Sequence, residues 1–213
     1  MQIHHHVVYD MNTPARLLFN CIQELAARKS NPVLEILPDD GIVKLDTRYP
    51  QPMLTFDDTG LRAYYHCHTT TERPVNEHGH FHIFIRNEEN DWSHLAGLSM
   101  DNHGQPLQWF SVNHWVTGEQ WNNAETLVSA MQCYDPPISM VLTEKWLMAM
   151  LEFYMPVIEE LLLERDDTIN SYCKEWQQEA ILQERSIYFL SGYSINLLDD
   201  LSYPDCHGIS VKA

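Results

Sequence analysis

Residues 61–86 read LRAYYHCHTTTERPVNEHGHFHIFIR. Two runs, 61–68 and 79–86, flank a polar stretch containing Pro74 and Asn76, and each run alternates in character along its length. Alternation at period two predicts a strand with two unlike faces. In the first run Arg62, Tyr64, His66 and His68 take one side, with Ala63, Tyr65 and Cys67 opposite. In the second, His80, His82, Phe84 and Arg86 share a face, and Phe81, Ile83 and Ile85 take the other. One face is apolar and packs; the other carries imidazoles. Pairing the runs as a hairpin with His68 opposite His80 sets His66 opposite His82, with directly paired Cβ atoms about 4.5–5.5 Å apart. A slip of one residue would send the histidines to opposite faces.

Outward from this stretch, residues 31–113 keep the same texture. Short apolar runs (VLEIL, IVKLD, MLTF, HLAGLSMD, LQWFSVN) alternate with turn clusters (PDDG, YPQP, DDTG, NEEND, NHGQP), which predicts an antiparallel sheet or small barrel. Before it, Thr13 and Pro14 open an amphipathic helix over 14–29, with Leu17, Leu18, Cys21, Ile22 and Leu25 at helical spacing. After it the pattern turns helical. Asn122 and Glu125 form a candidate capping box, residues 143–167 carry a broad apolar stripe that Pro156 should kink, and a further helix is expected over 167–184. SIYFL, at 186–190, reads as a late strand. The expectation is a single α+β domain over 1–213: an N-terminal helix (1–30), an antiparallel β core (31–121) and a mainly helical remainder (122–213).

Thirty acidic against thirteen basic side chains give a formal charge of −17, so phosphate backbones and anionic membranes are poor partners. Five widely spaced cysteines without a C-x-x-C predict reduced thiols rather than a disulfide framework. With no leader pattern and no apolar run near twenty residues, the expected location is cytoplasmic. A small-molecule substrate is the expected partner, and association between copies of the chain is compatible with the sequence.

Four imidazoles on one face, His66, His68, His80 and His82, predict a metal site, because neutral imidazole nitrogens bind divalent cations at about 2.0–2.1 Å. Glu77 or Glu72 is the candidate carboxylate ligand. Cys67 should point away, which argues against a closed thiolate zinc site. Iron(II) is favoured for such a donor set, with copper, manganese, nickel or zinc as alternatives. On the same face Arg62, Tyr64, Phe84 and Arg86 are candidate substrate contacts, as is Asn113 where strand passes to helix. His94, His103 and His114 are spare imidazoles.

Gly60, His66, His68, Glu72 and Gly79 fit G-x5-H-x-H-x3-E-x6-G, which resembles the first metal motif of the cupin superfamily. That resemblance implies a small β-barrel in which the histidines and Glu72 hold a divalent metal. The segments EHGHFHIF, HLAGLSMDNHGQP and NHWVTGEQW also resemble an uncharacterised bacterial domain family, which implies a recurring fold and no activity. A mononuclear non-haem metal enzyme, oxygen-dependent and acting on a small organic molecule, is the leading expectation. HGHFHIF also resembles the histidine-triad nucleotide hydrolases and transferases, which would make His80 a nucleophile. A non-catalytic metal-binding protein is the third reading.

Overall fold

The computed structural model describes residues 13–38, 41–56, 60–69, 75–87, 90–132, 141–174 and 176–202. Its centre is an antiparallel sheet whose strands lie in sequence order: β1 (Tyr49–Phe56), β2 (Leu61–His66), β3 (Gly79–Arg86), β4 (Trp92–Met100), β5 (Pro106–Val112) and β6 (Phe189–Ser194). β6 returns after the helical segment to pair with β5, and no β6–β1 pairing closes the sheet. The antiparallel α+β architecture is as expected. The small barrel is not formed: the sheet is open.

One face of the sheet carries the helices. α1 (Pro14–Ala27) packs on α4 (Leu142–Phe153), and α3 (Ala124–Gln132) and α5 (Met155–Tyr172) lie against the strands. Ala63, Tyr65, Phe81, Ile83, Ile85, Leu98 and Trp109 are buried from the sheet side against Trp146, Leu147, Met150, Ile158 and Leu161. Burial of each large side chain contributes about 1.5–3 kcal/mol, so this interface fixes which face of β3 turns away from the helices. The polar-looking parity of the strands is thereby enforced by packing.

Several local expectations hold. Thr13 caps α1 by accepting from the Arg16 N–H at 3.4 Å, with Pro14 in the first turn. The β4–β5 hairpin turns on Asp101, whose carboxylate accepts from the His103 and Gln105 N–H groups, each at 2.8 Å. Others are corrected. VLEIL forms a 3-10 turn (Leu34–Ile36), because the Asn31 side chain accepts from the Val33 and Leu34 N–H groups and starts a helical turn. IVKLD is a loop, and YPQP lies inside β1 rather than in a turn. Asn123, one residue later than expected, caps α3 by accepting from Thr126 N–H at 2.9 Å. Asn122 instead donates to Ser93 Oγ at 2.7 Å.

The long stripe breaks at Tyr154 instead of kinking, with Pro156 in the first turn of α5, where a missing N–H costs nothing. α5 then runs to Tyr172 and takes in the start of the expected following helix; among the described residues of the remainder only Gln178–Leu182 (α6) is helical. Between β5 and α3 lies a single turn, α2 (His114–Thr117), and α7 (Leu197–Ser202) follows β6. Among the described residues no helix is long and apolar enough to cross a membrane. Cys21 and Cys67 are buried and Cys173 half-buried; Cys133 and Cys206 lie outside the described residues.

Candidate metal centre

β2 and β3 pair with His66 opposite His80 and Tyr64 opposite His82. The expected pairing, His68 opposite His80, is therefore off by two residues. β2 ends at His66, two residues before His68, and β3 begins at Gly79. An even shift preserves the faces. The histidines still converge, but His66 moves to the centre and His68 passes to the loop.

His66, His80 and His82 bring one ring nitrogen each to within 4.8 Å of one another. Their ring centroids form a near-regular triangle of 4.6, 4.8 and 5.1 Å. His66 Nε2 and His80 Nε2 are 2.8 Å apart. Two nitrogens at about 2.0–2.1 Å from one cation, seen at 90–109°, lie about 2.8–3.4 Å apart. The first pair already meets that spacing. Bringing a nitrogen 4.8 Å away into that range takes a shift of about 1.4–2.0 Å, within the reach of a ring rotation.

Each buried imidazole is held from behind. His80 Nδ1 donates to Glu77 Oε1 at 2.8 Å, and Ser99 Oγ donates to Glu77 Oε2 at 2.5 Å. Burial pushes the Glu77 carboxyl up, but the hydrogen bonds from His80 and Ser99 outweigh it and hold Glu77 below the usual carboxylate range. An ionised carboxylate can only accept, so His80 Nδ1 carries a proton and donates it, which turns Nε2 toward the centre. His82 Nδ1 lies 2.9 Å from His94 Nε2, which leaves His82 Nε2 for the same hollow. Glu77 gives His80 the carboxylate–histidine support that fixes tautomer and ring plane at metal sites, and the His94 contact orients the His82 ring.

Three of the rings, His66, His82 and His94, are also kept neutral. Burial, then the neighbouring His80, His68 and Arg48, lower His66 to about 3. Burial, with His80 and His94 next, pushes His82 well below the imidazole range. Burial, followed by Arg165 and His80, lowers His94 to about 3. Neutral imidazole is the ligating form. Around the rings stands an aromatic wall: Tyr64 lies 5.5 Å from His66 and 5.4 Å from His82, and Phe110 meets His80 edge-on at 5.3 Å. Gly97, paired with both His82 and Phe110, leaves room for that ring; a Cβ there would overlap it.

The other expected site residues separate into groups. His68 stays beside the triangle, 4.5 Å from His66 between centroids, with Nδ1 3.0 Å from Asp46 Oδ1. Glu77 supports His80 rather than joining the nitrogen triangle. Glu72 lies outside the described residues. Tyr64 and Phe84 are buried in the wall. Arg62 is spent on Glu119 at 2.8 Å and stacks over Trp92 and Phe84. Arg86 is exposed and donates to Asn90. Asn113 is buried with its amide committed to the backbone, accepting from His114 N–H and donating to Ile181 O at 2.8 Å each. Its role is to cap α2 and tie it to α6, which corrects its place at a pocket edge.

His78 leaves the cluster: its ring stacks on Tyr65, on the helix side, with Nδ1 2.6 Å from the Tyr65 hydroxyl. His103 is exposed in the hairpin. His114 and Thr117 line a narrow cleft with His94, Glu119 and Arg165 that has room for about one water.

Of two further participants, His94 was named from the sequence only as a spare imidazole, and Arg48 was not read from it. His94 reaches the histidine face because β4 carries an extra residue, Leu95, between Ala96, opposite Ile83, and His94, opposite Phe84. That bulge flips the parity of the strand half that holds His94. Arg48, just before β1, seats its guanidinium carbon 4.5 Å from the Tyr64 ring centroid.

No curated protein and no solved structure matches the chain. A family described as a domain of unknown function, DUF6969, matches residues 12–195, a span that runs from α1 through β6 and contains every side chain of the centre. The chain belongs to the DUF6969 family.

Proposed function

We propose that the chain is a mononuclear metal enzyme in which His66, His80 and His82 hold one divalent cation, iron(II) in preference to copper, manganese, nickel or zinc, and which carries out oxygen-dependent oxidation of a small organic molecule. The observation that carries the reading is the convergence of one ring nitrogen each from His66, His80 and His82 within 4.8 Å, with His80 held from behind by Glu77 and His82 by His94. Three protein donors leave coordination positions open, where a bound metal would supply Lewis-acid or oxygen chemistry. An all-nitrogen set without thiolate suits a redox-active first-row metal better than a closed structural zinc site.

The chain's own residues do the rest. Glu77 keeps the His80 proton on Nδ1, and His94 holds the His82 ring in plane. Tyr64, Phe84 and Phe110 exclude water, which strengthens every charge interaction in the hollow. The histidine-triad alternative loses support from His78, which packs against Tyr65 on the far face, and from His80, which is 3% exposed and tied to Glu77.

Elemental analysis of untagged protein tests the reading. The expected result is close to one transition metal per chain, lost in His66→Ala and His82→Ala, with oxygen consumption by the loaded form. Metal at full occupancy without turnover on any oxidisable small molecule would leave a metal-binding protein. Absence of metal uptake by the wild type would refute the site.

A further inference from the structure

The proposed centre has a local charge opposite to that of the chain. A divalent cation held by neutral imidazoles, with Glu77 as the buried carboxylate beside it, leaves a net positive charge in a protein of formal charge −17. Among the described residues, Asp46 is 69% exposed and engaged with His68, so solvent screens it, and Glu119 is paired with Arg62. A cationic hollow in an acidic surface selects for anions.

Arg48 adds to that field at the rim. Its guanidinium sits over Tyr64, and the Tyr64 ring in turn touches His66 and His82. The charge is felt at both Tyr64 and His66. The arginines expected to bind substrate are placed differently: Arg62 is neutralised by Glu119, and Arg86 turns to Asn90. Arg48 makes no ion pair among the described residues, and its side chain is exposed. A guanidinium seated over an aromatic ring keeps its N–H fork available to a bidentate acceptor.

We propose that the ligand of this centre is a small organic anion whose carboxylate is held by Arg48 while a second donor of the same molecule enters the hollow between His66, His80 and His82. The inference rests on the metal reading of those histidines and specifies its substrate class. One guanidinium fork matches one carboxylate, and the open coordination positions take the adjacent donor, so a carboxylate with a neighbouring hydroxyl or carbonyl oxygen fits best.

The test uses the full chain loaded with Co(II), whose visible absorption reports changes in coordination. Glycolate is the carboxylate probe, glycolamide its neutral counterpart and inorganic phosphate the competing anion. Variants are Arg48→Gln, Arg48→Lys and, as a control away from the histidines, Arg185→Gln. Glycolate should perturb the Co(II) spectrum of the wild type and of Arg185→Gln with equal affinity, and glycolamide should not. Arg48→Gln should take up Co(II) as the wild type does yet bind glycolate about tenfold or more weakly, the loss expected for a charge-assisted hydrogen bond, with Arg48→Lys between.

Equal glycolate affinity in Arg48→Gln, a spectrum indifferent to glycolate, or tighter binding of glycolamide or phosphate would overturn the assignment while leaving the metal site standing. A wild type that takes up no Co(II) would overturn both.

Discussion

Glu77→Gln separates the charge of the supporting carboxylate from its shape. Glu77 and His80 have side chains only 3% and 4% exposed, so nothing in solvent substitutes for their contact. In Glu77→Ala, the His80 Nδ1–H and the Ser99 hydroxyl would both lose their acceptor, at about 1–3 kcal/mol each and about 2–6 kcal/mol together. Glutamine avoids that loss: its oxygen accepts from His80, and its amide donates to Ser99 once the hydroxyl rotates. The metal-free variant should therefore unfold close to the wild type. Loss of the negative charge behind His80 should weaken metal binding tenfold to a hundredfold, about 1.4–2.7 kcal/mol.

Thermal unfolding at a fixed free metal concentration reads this directly. At 100 times the wild-type Kd, binding stabilises the wild type by about 2.7 kcal/mol, or about 5–11 °C in Tm for a chain of this size. A variant about thirtyfold weaker gains only about 0.9 kcal/mol, or about 2–4 °C. Matching metal-induced shifts in the two proteins, with matching metal-free Tm, would refute the role given to Glu77.

His66→Ala should abolish stoichiometric metal uptake while His68→Ala retains it with a modest loss, because the register puts His66 inside the triangle and His68 beside it; isothermal titration with Zn(II) or Co(II) distinguishes them, and equal losses would contradict that register. Metal-free protein should lose stability as pH falls from about 6.5 toward 3. His66, His82 and His94 have folded values depressed below the unfolded imidazole value, so the unfolded chain binds the extra protons. The slope approaches about 1.4 kcal/mol per pH unit for each such histidine, and urea midpoints that stay flat between pH 7 and 5 would oppose it. Gly97→Ala should cost about 1–3 kcal/mol by displacing Phe110, and should also weaken metal binding because that ring abuts His80 and His82. A folded variant of unchanged metal affinity would show that the wall does not set the ring positions.

The face of β3 was legible in the sequence because packing enforces it: Phe81, Ile83 and Ile85 have only one apolar layer to enter, so His80 and His82 must turn away from it. Register was not legible to the residue. It depends on where β2 stops, and the end of a strand leaves a weaker mark in the sequence than alternation does. The same limit hid His94, since strict alternation along WSHLAGLSM puts it with Leu98 on the helix side until the extra Leu95 reverses it. Arg48 was missed because it lies in a loop, where no periodicity says which way a side chain turns. Asn113 looked like a site residue because a buried polar side chain at a strand end suits both a cap and a ligand contact, and only the partners tell them apart.

β3 is paired along its length with both neighbours, whereas β2 finishes at His66 and gives way to loop. Strands held on two sides open only when the whole domain does, while a strand's last residue frays far more readily. An ion leaving the hollow would then let go of His66 first, with His80 and His82 still in place to recapture it. Escape and exchange would be governed by brief departures of that single ring at the rim, long before the domain itself comes apart.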